Sequence, residues 1–165
     1  MFSGKLAGRK DTQEHSMAVK ELGHIVLYVR DISRSAAFYR DALGWRQLTT
    51  PEAAPVALFS SGRTHHELLL IEVGPNAQPI PKGSRIGLYH FGLKVGDTDD
   101  ELREALAQVQ AAGGAVVGTS DHTVSHSLYI LDPDGNEIEL YVDVPGVDWK
   151  NHPELILAPT RALAL

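Results

Sequence analysis

The sequence predicts an α+β protein built from two βαβββ modules, and three observations carry that prediction. Apolar, β-branched runs of strand length recur along the chain, bounded by Gly, Pro and Ser. Two other stretches place apolar residues three and four apart, as one face of a helix requires. The order of these elements in the first half is repeated in the second at a constant offset. His24 and His90 are 66 residues apart, and so are Asp31 and Asp97.

The first strand is Gly23–Val29. Asp31-Ile32-Ser33 then opens a helix with Ile32, Ala36, Tyr39 and Leu43 on one face, ended by Gly44, where a left-handed residue is favoured. Trp45–Thr50, Val56–Phe59 and Glu67–Val73 follow as strands. In the second half Gly87–Val95 is a strand and Asp97–Ala112 a helix burying Leu102, Ala105, Leu106 and Val109. Thr98 and Glu101 have capping-box spacing at its start, and Gly113-Gly114 stop it. Ala115–Thr119, Ser127–Leu131 and Glu137–Val142 complete the module, with the turn Asp132-Pro133-Asp134-Gly135-Asn136 between the last two. The Pro/Gly-rich linker Gly74–Ser84 joins module one (22–74) to module two (86–143), which together form a single domain over 21–145. Residues 1–20 are expected to be a flexible extension. Residues 146–165 form a tail carrying Trp149, a candidate lid.

The composition narrows the chemistry. At 165 residues, 43% hydrophobic and 22% charged, the chain is long enough for one domain with a real core. The absence of cysteine excludes thiol catalysis, iron–sulfur clusters and cysteine zinc sites. Any metal must be held by histidine nitrogen and carboxylate oxygen, and eight histidines are present. A net charge of -6 argues against nucleic acid as the main partner. No apolar run approaches the roughly 20 residues that span a bilayer. The N-terminus lacks the apolar core of a secretory signal, so a cytoplasmic location is expected.

Strand parity singles out candidate site residues, because residues two apart share a face. His24 and His90 hold equivalent places on equivalent strands, and Glu139 lies on the last strand. Two imidazoles and one carboxylate with positions left open suit Fe(II), and also Mn(II) or Zn(II). His66, His122 and Tyr129 are further candidates to line the same cavity. Surface or core positions account for their spacing equally well.

The strand Gly23–Val29, the helix end Arg34–Gly44 and the stretch Asp132–Leu140 resemble the vicinal-oxygen-chelate superfamily over roughly residues 22–145. That superfamily includes glyoxalase I, fosfomycin thiol transferases, bleomycin-binding proteins and type I extradiol dioxygenases. The resemblance implies that the two modules pair into a half-open mixed β-barrel around a metal site. Among its branches the chain is most similar to single-domain extradiol, catechol 2,3-dioxygenase-like members. It then implies His24, His90 and Glu139 as metal ligands, with Fe(II) the expected ion and Mn(II) an accepted one. His66, His122 and Tyr129 are the implied catalytic residues, with His126 as the alternative to His122. The implied reaction is extradiol (meta) cleavage of a catechol-type diol with O2, catalysed by a homodimer or higher homo-oligomer that needs no nucleic acid or membrane.

Three other branches stand beside this one. A glyoxalase I-like isomerase needs a second carboxylate on the fourth strand. There the offset from Glu139 lands at Leu68 or Leu69, with Glu67 and Glu72 nearby. A fosfomycin-type thiol transferase shares the ligand set and the tyrosine but gives no use for His66 and His122. A metal-free binding module would not need the three ligand positions filled.

Overall fold

The computed structural model describes residues 18–51 and 54–165. The extension expected over residues 1–20 falls outside the described residues up to position 17. Residues 18–20 are exposed.

The strands are β1 (Ile25–Val29), β2 (Val56–Phe59), β3 (Leu68–Glu72), β4 (His90–Gly96), β5 (Ala115–Asp121), β6 (Ser125–Leu131) and β7 (Glu137–Asp143). The helices are α1 (Ile32–Ala37), continued by a π-helical turn Phe38–Ala42, and α2 (Asp99–Ala111). A short 3-10 turn, Pro153–Leu157, lies in the tail. One mixed sheet has the order β1-β3-β2 and the other β4-β7-β6-β5. In each module the first strand runs parallel to the last. The architecture is therefore α+β with two repeated mixed sheets, and among the described residues no barrel closes.

One predicted strand is absent. Trp45–Thr50 touches β2 through an isolated bridge from Gln47 to Phe59 and is otherwise irregular. Its first residue is drawn inward instead. The Trp45 ring packs against Tyr39 and Phe59 at centroid separations of 6.5 and 6.2 Å. β4 begins three residues later than expected, at His90, which pairs with Glu137, the first residue of its partner β7.

The helix faces are the predicted ones. Ala36 and Tyr39 are buried, with Ile32 and Leu43 packed against them. Leu102 and Val109 are buried from α2, with Ala105 and Leu106 at the margin. Thr98 caps α2 as predicted, its Oγ1 accepting from the Glu101 amide at 3.3 Å, while Glu101 reaches back one residue beyond the cap and accepts from the Asp97 amide at 2.8 Å. A single core unites the modules through Phe59, Leu68 and Leu70 of the first and Leu128, Ile138 and Leu140 of the second.

Alternation along the strands turns their other face away from this core. Val26 and Tyr28 of β1 are exposed there, as is Gly92 of β4. The tail closes one sheet edge. Arg161 exchanges two backbone hydrogen bonds with Asp121, at 2.9 and 3.0 Å, and Thr119 Oγ1 donates to the Leu163 carbonyl at 2.7 Å. An otherwise open β5 edge is thereby covered. Among the described residues no helix is long and apolar enough to cross a membrane.

Candidate active site

The open face of the second sheet holds a polar network made by three neighbouring strands. Glu139 of β7 pairs across to Tyr129 of β6 on one side and Gly92 of β4 on the other. His90, two residues before Gly92, shares its face. Its Nε2 lies 3.3 Å from Glu139 Oε2, and its Nδ1 lies 3.7 Å from Glu137 Oε1. Tyr129 donates to Glu139 Oε1 at 3.2 Å, and Ser127 donates to the same oxygen at 2.6 Å. His122 sits in the β5–β6 turn, where Thr123 takes φ 72°, and brings Nε2 to 2.7 Å from the Tyr129 hydroxyl.

Glycine at position 92 keeps this floor open. A Cβ there would stand 3.3 Å from the Tyr141 ring and 3.6 Å from Glu139 Oε2. Burial, and then the charge and hydrogen bond of Glu139, push the Tyr129 phenol up to about 12. It stays protonated through the neutral range and acts as a donor.

The first sheet contributes a separate group. The His24 ring lies 4.6 Å from that of His66, and His66 Nδ1 is 2.6 Å from His65 Nδ1. Desolvation, with repulsion from His65 and His24, lowers the His66 pKa and favours a neutral imidazole able to accept a proton.

The structure thus brings four of the six predicted site residues together, His90, His122, Tyr129 and Glu139, and sets His24 and His66 side by side on the other sheet. Among the described residues no three His, Asp or Glu side chains are gathered closely enough to hold one ion. His24 lines a cleft of about 790 Å³ between the sheets, with Gly92, Leu93 and Tyr141 on the opposite wall. On the second sheet two donors of the type a metal takes, His90 Nε2 and Glu139 Oε2, stand 3.3 Å apart. Two donors bound at right angles to one ion at about 2.1 Å stand about 3 Å apart, close to the His90–Glu139 separation. The other ring nitrogen of His90, Nδ1, faces Glu137 and is buried without a hydrogen-bond partner.

His126, the alternative to His122, faces the other way and meets Asp99 at the start of α2 at 2.6 Å. The ambiguity around Leu68 and Leu69 is resolved by pairing. Val26, two residues after His24, is opposite Leu69, as Gly92, two after His90, is opposite Glu139. Leu69 is the counterpart of Glu139 and cannot bind metal. Glu67 is occupied by the amides of Ser61 and Thr64 at 2.8 and 3.0 Å, and Glu72 by that of Ile32 at 2.8 Å.

Sequence reasoning did not single out Ser127 or Thr160. Ser127 shares parity with Tyr129, which is a usable signal. Thr160 lies 3.4 Å from His122 Nδ1 and carries no sequence mark, since the path of the tail brings it there.

A paired-module α+β fold with a polar cluster on the open sheet face is the class these features define. The family described as Glyoxalase/Bleomycin resistance protein/Dioxygenase superfamily matches residues 21–140, and the chain belongs to it. It is 37% identical over 133 residues to a catechol-2,3-dioxygenase of Bacillus subtilis (strain 168), which covers 81% of this chain and 45% of that protein. It is 32% identical over 127 residues to a biphenyl-2,3-diol 1,2-dioxygenase of Metapseudomonas furukawaii, covering 72% of this chain and 39% of that one. The chain spans less than half the length of these relatives. A solved lactoylglutathione lyase from Agrobacterium tumefaciens is similar at a TM-score of 0.56 and 26% identity, covering 76% of this chain and 96% of that one.

Proposed function

We propose that this chain is a metal-dependent extradiol dioxygenase. Its reaction breaks the ring C–C bond beside the two hydroxyls of a catechol-type diol and places both atoms of O2 in the ring-opened product. The observation that carries this reading is the hydrogen-bonded run His122–Tyr129–Glu139, with His90 beside it, on the open face of the second sheet.

His90 Nε2 and Glu139 would hold the metal, joined by His24 from the facing sheet, with Fe(II) the expected ion and Mn(II) its substitute. When bound, such an ion supplies a Lewis-acidic, redox-active centre with positions left for diol and O2. The remaining steps belong to the chain. Tyr129 keeps its proton and, when a diol is bound, would turn that donation from Glu139 to a diol oxygen. His122, held at 2.7 Å from Tyr129, orients the diol beside it. His66, favoured in its neutral form, accepts a proton at its free ring nitrogen and holds it near His24. The cleft walls Leu93 and Tyr141 offer apolar surface to a flat ring.

Relatives named as dioxygenases of aromatic diols support this reading over an isomerase. Leu69, standing where the isomerase branch needs a carboxylate, supports it further. The test is oxygen uptake by iron-replete, reduced protein with a panel of catechols, run separately with Fe(II) and Mn(II). A coloured ring-opened product with stoichiometric O2 consumption is expected. No uptake with any catechol, together with turnover of the methylglyoxal–glutathione adduct, would overturn it.

A further inference from the structure

The tail that covers the β5 edge also touches the proposed site. Thr160 Oγ1 lies 3.4 Å from His122 Nδ1. The next residue, Arg161, is clamped to Asp121, immediately before His122. Its side chain reaches Asp121 Oδ2 at 2.9 and 3.1 Å, and its backbone exchanges both hydrogen bonds with that residue. Asp121 Oδ1 also accepts from the Thr123 amide at 2.7 Å, which holds the turn that carries His122.

The proton positions along this run follow from donor and acceptor capacity. Ionised Glu139 can only accept. Tyr129 has one proton and gives it to Glu139 Oε1, so its oxygen must accept from His122 Nε2. A neutral imidazole carries one proton, so His122 is Nε2–H and its Nδ1 is a bare acceptor. The only side-chain partner at Nδ1 among the described residues is the Thr160 hydroxyl, which can donate to it. With Glu139 as a carboxylate and His122 as a neutral ring, one arrangement satisfies every contact: Thr160 to His122 to Tyr129 to Glu139.

We infer that Thr160, seated by the Arg161–Asp121 clamp, is a positioning residue that fixes the ring orientation and Nε2–H tautomer of His122. The C-terminal tail is then part of the site's machinery rather than an edge cover alone. This inference rests on the proposed function for its catalytic meaning, but not for its structural content. A hydroxyl is required at position 160. A side chain of the same shape without one leaves Nδ1 free to take up the proton, so that Nε2 no longer donates to Tyr129.

The experiment uses the full chain, 15N-labelled and metal-free, with long-range 1H–15N correlation spectra of the His122 ring. Wild type is expected to show the Nε2–H tautomer alone. Thr160→Val should mix the two tautomers, Thr160→Ser should restore the wild-type pattern, and Arg161→Ala should reproduce the Val result by unseating the tail. A His122 pattern unchanged in Thr160→Val, or one that Ser fails to restore, overturns the inference. With a turned-over diol in hand, Thr160→Val should lower kcat about five- to tenfold, the worth of one neutral hydrogen bond, with Ser near wild type. The ring spectra decide the inference whether or not any diol is turned over. A failure of the proposed function would show as absent turnover with the tautomer pattern intact.

Discussion

The phenol of Tyr39 donates a 2.9 Å hydrogen bond to Asp132 Oδ2, 93 residues further along the chain. Tyr39 belongs to the helical segment of module one and Asp132 opens the turn before the last strand of module two. The same carboxylate accepts from the amides of Asp134 and Asn136 at 2.9 and 2.8 Å and from Asn136 Nδ2 at 2.8 Å. Asp134 reaches back to the Arg30 amide at 3.2 Å and the Ser35 hydroxyl at 3.3 Å. Two of the sequence's most distinctive stretches are therefore partners. Their bond holds module two's last hairpin, and with it Glu139, against module one.

Tyr39→Phe keeps the ring against Phe59 and Trp45 but removes the donor, so it should cost about 1–2 kcal/mol. For a chain of this size that lowers Tm by about 2–8 °C. Burial, then the charge of Asp132, raises the Tyr39 pKa well above 10.0. A group raised in the folded state stabilises fully below its unfolded pKa and loses that contribution as pH rises past it. The Tm gap between wild type and Tyr39→Phe should accordingly be constant from pH 6 to 9 and shrink above pH 10. A gap that does not change up to pH 11 would show that the phenol's ionisation is not linked to folding.

Local periodicity explains which parts of the fold were legible. The face of α2 bearing Leu102 and Val109, the cap at Thr98 and the parity of Tyr129 and Glu139 are fixed by spacings of two to four residues. Trp45–Thr50 failed as a strand because Trp45 is recruited by Tyr39 and Phe59, a tertiary event with no local mark. Strand pairing decides between Leu68 and Leu69 as the counterpart of Glu139. A one-residue slip exchanges the two faces, so spacing alone left both open. Thr160 was illegible for a related reason, since only the course of the tail along β5 sets it beside His122.

His90→Ala removes the nitrogen 3.3 Å from Glu139 Oε2. Metal content after reconstitution with Fe(II), measured by elemental analysis, should fall to background, with affinity weakened about 100-fold or more. Ser127→Ala leaves the ligands but releases Glu139 Oε1 from a 2.6 Å hydrogen bond, and should weaken binding about tenfold. His126→Ala, on the opposite face, is the control and should bind as wild type. Equal metal content in His90→Ala and His126→Ala would contradict the proposed ligand set.

Leu69→Glu places a carboxylate at the counterpart of Glu139, on a half-buried position of the open sheet face. A further oxygen ligand would close one of the positions left for diol and O2. Oxygen uptake with the best catechol should fall about tenfold or more, while Ni(II) and Zn(II) bind more tightly by calorimetry. Unchanged values in both measurements would mean that Leu69 does not face the metal-binding position.

The seat of the tail should be acid-sensitive. The Thr123 amide, then the Arg161 guanidinium and His126, hold the Asp121 carboxyl below its ordinary value of 3.8. A depressed carboxylate stabilises the folded state above its unfolded pKa and loses that contribution as pH falls through its folded pKa. The Arg161 amide, which donates to the Asp121 carbonyl at 2.9 Å, reports on the seat. Its hydrogen-exchange protection factor should be level from pH 6 to 4.5 and fall about fivefold or more as the pH drops below 3.8. In Asp121→Asn the protection should be low throughout and show no step, because the titrating group and its ion pair with Arg161 are both gone. A step retained in the Asn variant would assign the acid sensitivity to another carboxylate and leave Asp121 a structural acceptor only.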